Sequence, residues 1–568
     1  MKRCPKCNRV ETDGALKYCR VDGASLVNES TNLGSEARTV QPGLDASEVH
    51  TSILPHKTDA DTTTKKFAEP VNKRKGQTQK KTAIAGAMGI LLVAAFGIGS
   101  YLYFTRGSAR QIDSIAVIPF VNESGNAEVD YLSDGLTETM INTLTGLPNL
   151  NVKPRSSSFR YKGRESEAKT IGTELNVSAI LNGRLVQRGD EITLFLALID
   201  TGTENQIWGK RYTRKLTNLI TLHTEMARDV SESLKRKLSG TAEEKLTKNY
   251  TENAEAYQLY LKGRFAWNKR TEKDNQRATE FFQQAIALDP EYALAYAGLA
   301  DSYAGAAVIA NPDPVLRRER MARGREAALK ALSLDNNLAE AHTALGTILT
   351  TFDYDFAGAE REYRRAIEIN PSYADAHYWY AQLLSRLGRF DEAFSEFKRT
   401  LELEPLNLTY QANYGGHLAW AGRREEAITY LQKTLQLDEN FAPTLGNLTN
   451  TYELKGDYAN VVQTRARIFE LSGDSESAAL GRAAFAKGGW NGYLRYLTSD
   501  RRPKYQSLYA LAIGHAGLGE KDKAFEALNR SYENRESLLQ RLKVDPRLDP
   551  LRDDPRFDEL LKRMGFPE

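Results

Sequence analysis

The second half of the chain repeats itself about every 34 residues from Ala256 onward, and this self-similarity limits the possible folds more than any other feature. Each repeat carries apolar residues at helical spacing along two successive helices. A helical hairpin of this length cannot bury its apolar face alone, so neighbouring hairpins must stack on one another. The sequence therefore predicts an all-α solenoid over residues 253–535, followed by a capping segment at 536–568.

The repeat resembles the tetratricopeptide (TPR) family, in which small residues on paired helices face large ones. In the first unit, Gly263, Ala278 and Ala285 are the small residues and Phe282 is the large one. The most regular unit carries the same pattern at Tyr380, Ala381, Ala393, Phe397 and Pro405. The resemblance implies a superhelix whose concave groove binds an extended peptide or a partner helix.

In that family the groove is lined by the first helix of each hairpin, at the positions that face the superhelix axis. In this chain those positions hold aromatic, amide and charged side chains, which are the candidate partner-binding residues. They are Tyr257, Tyr260, Arg264, Trp267, Asp301, Thr347, Asp375, Tyr378, Gln382 and Asn450. The alternative is that some of them are merely solvated or pack within the repeats.

Residues 82–104 contain no charged side chain. As an α-helix this run would extend roughly 34 Å, enough to cross a hydrocarbon core of about 30 Å. Lysines and arginines in residues 73–81 outnumber those that closely follow the run, which places the N-terminus in the cytoplasm. The sequence thus predicts a single-pass protein of the inner (plasma) membrane whose later domains are extracytoplasmic. A buried core helix is the alternative for this run.

The three cysteines lie close to the N-terminus, where Cys4 and Cys7 have the spacing of a metal knuckle. Cys19 and Asp22 form a second pair, with a carboxylate in the fourth ligand position. Zn²⁺ accepts thiolates and a carboxylate, and four protein ligands make a structural site. Residues 1–27 resemble the short zinc ribbons of bacterial membrane proteins, although three unligated thiols remain the alternative. The polar, aperiodic residues 28–81 are predicted to be a flexible cytoplasmic tether.

Residues 112–240 are predicted to form a small α/β domain. A buried strand is expected near Ser114, and two alternating strands, 179–187 and 192–200, are expected to form a hairpin. The domain resembles the TolB N-terminal-like family through SIAVIPFVNESG (114–125), YLSDGLTETMINTL (131–144) and IGTELNVSAILNGRL (171–185). The resemblance implies a binding or assembly module outside the inner membrane, with no settled activity.

Two features of this domain have competing interpretations. Asp134 and Glu138 lie one helical turn apart, which is compatible with a catalytic carboxylate pair. A helix-dipole acid and a solvated helix face explain them more simply. The run Arg-Ser-Ser-Ser at 155–158 indicates either an anion-holding loop with exposed hydroxyls or a structural turn of the family.

The net charge of +3 argues against a dedicated nucleic-acid binder, which carries a strong basic excess. The sequence contains no phosphate-binding loop and no kinase, nucleophile-elbow or metalloprotease motif, so no enzymatic activity is predicted. We therefore predict a multidomain, membrane-anchored scaffold that binds a protein or peptide. The alternative is a transmembrane signalling protein whose cytosolic ribbon relays binding outside to a partner inside.

Overall fold

The computed structural model describes residues 2–3, 10–11, 27–28, 112–164, 166–234, 250–269, 271–308, 313–501, 503 and 507–567. It contains two compact units, residues 1–97 and 98–568. In the first unit, the strands β1 (Lys2–Arg3), β2 (Val10–Glu11) and β3 (Val27–Asn28) form an antiparallel sheet in the order β2-β1-β3.

Several predicted features lie outside the described residues. They are the zinc ligands Cys4, Cys7, Cys19 and Asp22, the tether beyond Asn28, and the membrane span at 82–104. Within the described ranges, no helix combines the length and the apolar character needed to cross a bilayer.

The first domain of the second unit is a mixed sheet with helices on both faces. Its strands are β4 (Ser114–Val117), β5 (Val121–Asn122), β6 (Asn151–Val152), β7 (Ala179–Arg188), β8 (Glu191–Asp200) and β9 (Gln206–Lys215). Its helices are α1 (Asp130–Thr145), α2 (Arg155–Ser158), α3 (Ala168–Leu175) and α4 (Leu219–Ser233).

The sheet has the strand order β6-β4-β7-β8-β9, and β5 also pairs with β7. Strand β4 is parallel to β6 and β7, whereas β7, β8 and β9 are antiparallel. Residues 115–117 of β4 are fully buried, as expected for a parallel strand that is covered on both faces. Leu136 of α1 and Met226 of α4 cover one face, while Ile171 and Leu175 of α3 cover the other.

Paired helices form the solenoid that follows. They are α5 (Ala254–Trp267), α6 (Glu272–Leu288), α7 (Ala293–Val308), α8 (Pro314–Leu334), α9 (Ala339–Ile348), α10 (Phe356–Ile369), α11 (Ala374–Arg386), α12 (Phe390–Leu403), α13 (Leu408–Trp420), α14 (Arg424–Leu435), α15 (Ala442–Lys455), α16 (Tyr458–Leu471), α17 (Ser475–Leu497), α18 (Leu508–Gly517) and α19 (Lys521–Glu533). Two 3₁₀ turns at Ser537–Arg541 and Pro546–Leu551 lead to α20 (Pro555–Arg563).

Glycines allow the paired helices to approach each other closely. A Cβ atom at Gly263 would lie 2.5 Å from the ring of Phe282, and one at Gly415 would lie 2.6 Å from Leu431. Side chains in folded proteins do not make contacts this short, because interiors are already close-packed. These positions therefore require glycine, which explains the alternation of small and large residues in the repeat.

The C-terminal segment, residues 536–567, folds back onto the middle of the solenoid. Phe566 packs against Phe356 of α10, with 4.6 Å between the ring centroids. Just before the segment, the Asn534 carbonyl accepts a 2.8 Å hydrogen bond from Arg317 of α8. Phe557 of α20 shares one buried core with the helices α10 to α12. The chain thus returns to helices that it formed about two hundred residues earlier.

Candidate partner-binding groove

A buried ion-pair network joins the α/β domain to the first repeat. Glu138 on α1 is 6% exposed, and its Oε1 lies 2.6 Å from Nη2 of Arg264 on α5. Arg155 Nε lies 3.0 Å from the other carboxylate oxygen, which also accepts a 2.7 Å hydrogen bond from Asn268. Burial raises the pKa of Glu138, but the two guanidinium groups outweigh burial and hold it below its usual range. The network holds α1 against the face of α5 that was predicted to line the groove.

A cavity of about 670 Å³ lies between helices α1 and α4 and the first hairpins of the solenoid. Its wall includes the predicted groove residues Tyr257, Tyr260 and Arg264, together with Tyr292 and Glu340. The Tyr257 hydroxyl is buried, and its contact with Thr139 does not have the geometry of a good hydrogen bond. Because buried polar atoms normally make good hydrogen bonds, this hydroxyl can also bond to a ligand that enters the cavity. The volume is within the usual range for ligand sites.

Burial shifts the pKa of several groups in the cavity wall. It raises the pKa of Tyr257 to about 12 and raises that of Glu340 above its usual range. It lowers the pKa of His223 to about 4, so this imidazole is neutral at pH 7. His223 Nε2 lies 3.1 Å from Thr143 Oγ1, and its ring centroid is 6.5 Å from that of Tyr257. The wall therefore combines aromatic rings, a neutral imidazole and carboxyl groups with one ion-paired guanidinium.

The acidic pair on α1 is buried in the domain interface. Asp134 is 4% exposed, and Lys162 Nζ lies 2.7 Å from its carboxylate. The interpretation of Asp134 and Glu138 as a solvated helix face is wrong, because α5 and residues 155–162 cover α1. Ser157 and Ser158 are also buried, which favours a structural turn at 155–158 over a loop with exposed hydroxyls.

The predicted groove residue Asn450 lies beneath the C-terminal segment. Asn450 Oδ1 accepts a 2.9 Å hydrogen bond from Arg547 of that segment. Arg547 also pairs with Glu453 at 3.2 Å and with Asp545 at 2.6 Å. Asp545 is fully buried and accepts a 3.0 Å hydrogen bond from the Tyr509 hydroxyl. Charged contacts thus fasten the C-terminal segment to α15 across the predicted groove.

Helix α11 carries three more of the predicted residues. The Tyr378 ring is 4.6 Å from the ring of Tyr410, whose hydroxyl donates a 2.7 Å hydrogen bond to Asp375. Gln382 is 5% exposed, and its Oε1 accepts a 3.0 Å hydrogen bond from Arg386. The predicted residues on α11 therefore already make contacts within the solenoid.

The other predicted residues divide between the Arg264 region and a hairpin interior. The Arg264 guanidinium lies 4.7 Å from the Trp267 ring centroid, and its Nη1 is 3.6 Å from Asp301 Oδ2. Thr347 is 3% exposed and accepts a 3.3 Å hydrogen bond from the Tyr363 hydroxyl of the paired helix. The structure therefore brings the predicted residues of α5 together with Asp301, while Asn450 lies under the C-terminal segment and Thr347 lies inside a hairpin.

Several residues of the cavity wall were missed by the sequence reasoning. Glu340 is the second residue of α9, just as the predicted Asp375 is the second residue of α11. Extending the repeat register by one hairpin would have found it. His223 belongs to the other domain, where no repeat pattern points to it, and Glu138 was predicted only as half of an acidic pair on its helix. No cluster of three or more His, Cys, Asp or Glu side chains suited to a metal ion occurs among the residues described.

Comparison with known proteins supports the repeat interpretation. Residues 353–413, which include α10, α11 and α12, match the family model of the tetratricopeptide repeat. Among solved structures, YrrB, described as a TPR protein with an unusual peptide-binding site, is 20% identical with a TM-score of 0.26. That alignment covers 36% of this chain and 97% of YrrB.

Two kinds of named proteins share shorter regions with this chain. A Rhizobium meliloti protein with the provisional name adenylate cyclase 3 is 32% identical over 186 residues, which is 33% of this chain and 32% of that protein. The transcriptional regulator HilA of Salmonella typhimurium is 27% identical over 135 residues, 24% of each chain. The chain thus spans about a third and about a quarter of the lengths of these relatives.

Proposed function

We propose that this protein is a membrane-anchored scaffold that binds a peptide segment of a partner protein in the cavity between α1 and the first tetratricopeptide hairpins. The observation that carries this function is the composition of the cavity wall. Tyr257 and Tyr260 offer aromatic surface, Arg264 and Glu340 offer charge, and the Tyr257 hydroxyl makes no well-formed hydrogen bond. Mixed surfaces of this kind on repeat helices suit an extended peptide. A cavity of about 670 Å³ accommodates a short segment rather than a folded surface.

Binding is tested by affinity capture with the full-length chain from an envelope extract of the source cells. The double variant Tyr257→Phe/Glu340→Gln removes one hydroxyl and one carboxylate while it keeps the side-chain volumes. We expect the amount of partner captured by this variant to fall by a factor of about five or more. Each lost hydrogen bond weakens the binding free energy by about 1 kcal/mol or more.

The matched control is Arg424→Gln, which changes an exposed residue at the start of α14. This control should capture the partner as well as the wild type does. Equal capture by the wild type, the double variant and the control would show that the cavity is not the binding site.

The proposed membrane topology comes from the sequence. Residues 82–104 would cross the membrane once, and the domains from residue 112 onward would be extracytoplasmic. A reporter enzyme that is active only outside the cytoplasm should give signal when fused after residue 568. The same reporter fused before residue 82 should give none. The reverse pattern would contradict this orientation.

A second function, transmembrane signalling, is favoured by the position of the Glu138–Arg264 ion pair. Arg264 belongs both to the cavity wall and to the contact that holds α1, so an occupant that attracts Arg264 would loosen the domain interface. The ribbon at residues 1–27 would then relay occupancy to a cytosolic partner. The two functions are separated by capturing cytosolic proteins on residues 1–27 of the full chain, once with the external peptide bound and once without it. Occupancy-dependent capture supports signalling, and constant capture supports the scaffold.

We also propose that Cys4, Cys7, Cys19 and Asp22 hold a structural Zn²⁺ ion. Strands β1, β2 and β3 flank the two ligand pairs in the chain, which is the arrangement of a small ribbon. A fold of this size depends on its metal for stability. The purified chain should contain one zinc per molecule, and Cys4→Ser should lose it. Zinc retained at full occupancy by Cys4→Ser would contradict the assignment.

A further inference from the structure

Arg386, at the C-terminal end of α11, is a buried cation without an anionic partner. It is 8% exposed, and its Nη2 donates a 3.0 Å hydrogen bond to Gln382. The Nε2 atom of Gln382 is itself buried and makes no hydrogen bond. Within the described residues, no carboxylate oxygen lies within 4.0 Å of the Arg386 guanidinium. A buried charge of this kind is costly unless a counter-charge compensates it.

Arg541 of the C-terminal segment lies in the same region. Its guanidinium carbon is 4.7 Å from the Trp420 ring centroid, and the Trp420 ring is 4.6 Å from that of His417. His417 Nδ1 is 2.5 Å from the hydroxyl of Ser385, the residue before Arg386. As with Arg386, no described carboxylate pairs with Arg541. A chain of contacts therefore leads from Arg541 to the residue next to Arg386, and neither guanidinium lies within 4.0 Å of a described carboxylate.

Asp545, the carboxylate whose charge acts on Arg541, is already engaged by another arginine. Asp545 and Glu453 both pair with Arg547. Gln540, which precedes Arg541, is fully buried, and neither its Nε2 nor its Oε1 makes a hydrogen bond. Burial, with the field of Arg541, lowers the pKa of Arg386 to about 10. Burial and the two arginines also hold the pKa of His417 well below its usual range, so this imidazole is neutral.

We propose that Arg386 and Arg541, with the Gln382 amide, form a binding site for a compact oxyanion at the junction of α11 and the C-terminal segment. The ligand chemistry is that of a phosphate or a carboxylate group, whose oxygens match the planar donor array of a guanidinium. Because one arginine belongs to the solenoid and the other to the segment, the bound anion would link the two.

The test is thermal unfolding of the full-length chain during titration with sodium phosphate, sodium acetate or sodium chloride at constant ionic strength. We expect phosphate or acetate to raise the unfolding midpoint by about 2–4 °C and to saturate. A response to phosphate alone identifies a phosphate site, and a response to acetate identifies a carboxylate site. No response to either ion, or an equal response to chloride, would overturn the proposal.

Variants at both ends of the site separate specific binding from a general salt effect. Arg386→Met and Arg541→Met should each abolish the response to the oxyanion, while the exposed control Arg424→Gln should keep it. In chloride buffer, Arg386→Met should also unfold at a higher temperature than the wild type, since it removes an uncompensated buried charge. A full oxyanion response in both methionine variants would refute the site.

Discussion

Glu138 and Arg264 form a 2.6 Å ion pair across the domain interface, although 126 residues separate them in the chain. Their side chains are only 8% and 14% exposed. The pair makes the α/β domain part of the groove wall instead of a neighbour joined only by the chain. The cavity is therefore a joint product of both domains, and the C-terminal segment covers a separate part of the repeat surface.

Loss of the Glu138 charge should destabilise the domain interface. Glu138→Gln removes the carboxylate that Arg264 and Arg155 share and leaves Arg264 only the longer contact with Asp301, and breaking a buried pair from one side typically costs about 3–5 kcal/mol. Urea unfolding and hydrogen exchange of α1 and α5 measure the effect. The control Glu225→Gln breaks the pair with Arg214, whose side chains are 31% and 37% exposed, and should cost less than about 1 kcal/mol. Equal costs for the two variants would contradict this view of the interface.

Two glycine substitutions should change stability in opposite directions. Gly263→Ala places a methyl group 2.5 Å from the Phe282 ring and should cost about 2 kcal/mol, because it forces the paired helices apart. Gly446→Ala, inside α15, meets no atom within 4 Å and should stabilise the chain by about 0.5–1 kcal/mol, as alanine favours the helix. Unfolding midpoints of the two variants provide the measurement. A stabilising Gly263→Ala would show that the close approach is not needed.

Acidification should weaken the fold through His223. Its pKa is about 4 in the folded chain and 6.5 in the unfolded chain, so the unfolded state binds more protons between these two values. The unfolding free energy therefore falls as the pH drops from about 6.5 to 4, by up to about 1.4 kcal/mol per pH unit. His223→Gln should flatten this part of the profile. Unfolding curves are measured at pH 7, 6 and 5 for the wild type and the variant. All other titratable groups are common to the two proteins, so the difference between their profiles is due to the His223 imidazole. If the unfolding free energy falls equally with pH in the wild type and in His223→Gln, the proposed role of His223 is wrong.

The C-terminal segment should depend on the Arg547–Asp545 pair. Arg547→Met leaves the fully buried Asp545 without its counter-charge and should cost about 3 kcal/mol. Hydrogen exchange should accelerate in residues 536–551 and in α15, where Asn450 and Glu453 lose the same partner. The control Arg423→Met breaks an exposed pair and should leave exchange in this region unchanged. A fold as stable as the wild type in Arg547→Met would show that the segment is held by its apolar contacts alone.

The repeat architecture could be predicted because its determinants lie close together in the chain. Gly263 faces Phe282 within one hairpin, and β7 pairs with β8 across a tight turn. Periodicity records such neighbours directly, since helices and strands present side chains at fixed intervals. The zinc ligands, the membrane span and the topology were likewise derived from local spacing, and they remain predictions.

Only the tertiary structure decided which surfaces stay open. The contacts of Glu138 with Arg264 and of Arg547 with Asn450 join elements that no repeat register relates to each other. A helix position that faces the superhelix axis has the same place in the repeat whether its side chain contacts solvent, another domain or the chain's own C-terminal segment. Sequence periodicity therefore determined the helices and their pairing in this protein. The burial of its acidic pair, the position of its cavity and the covering of its groove follow from long-range packing, which local spacing does not encode.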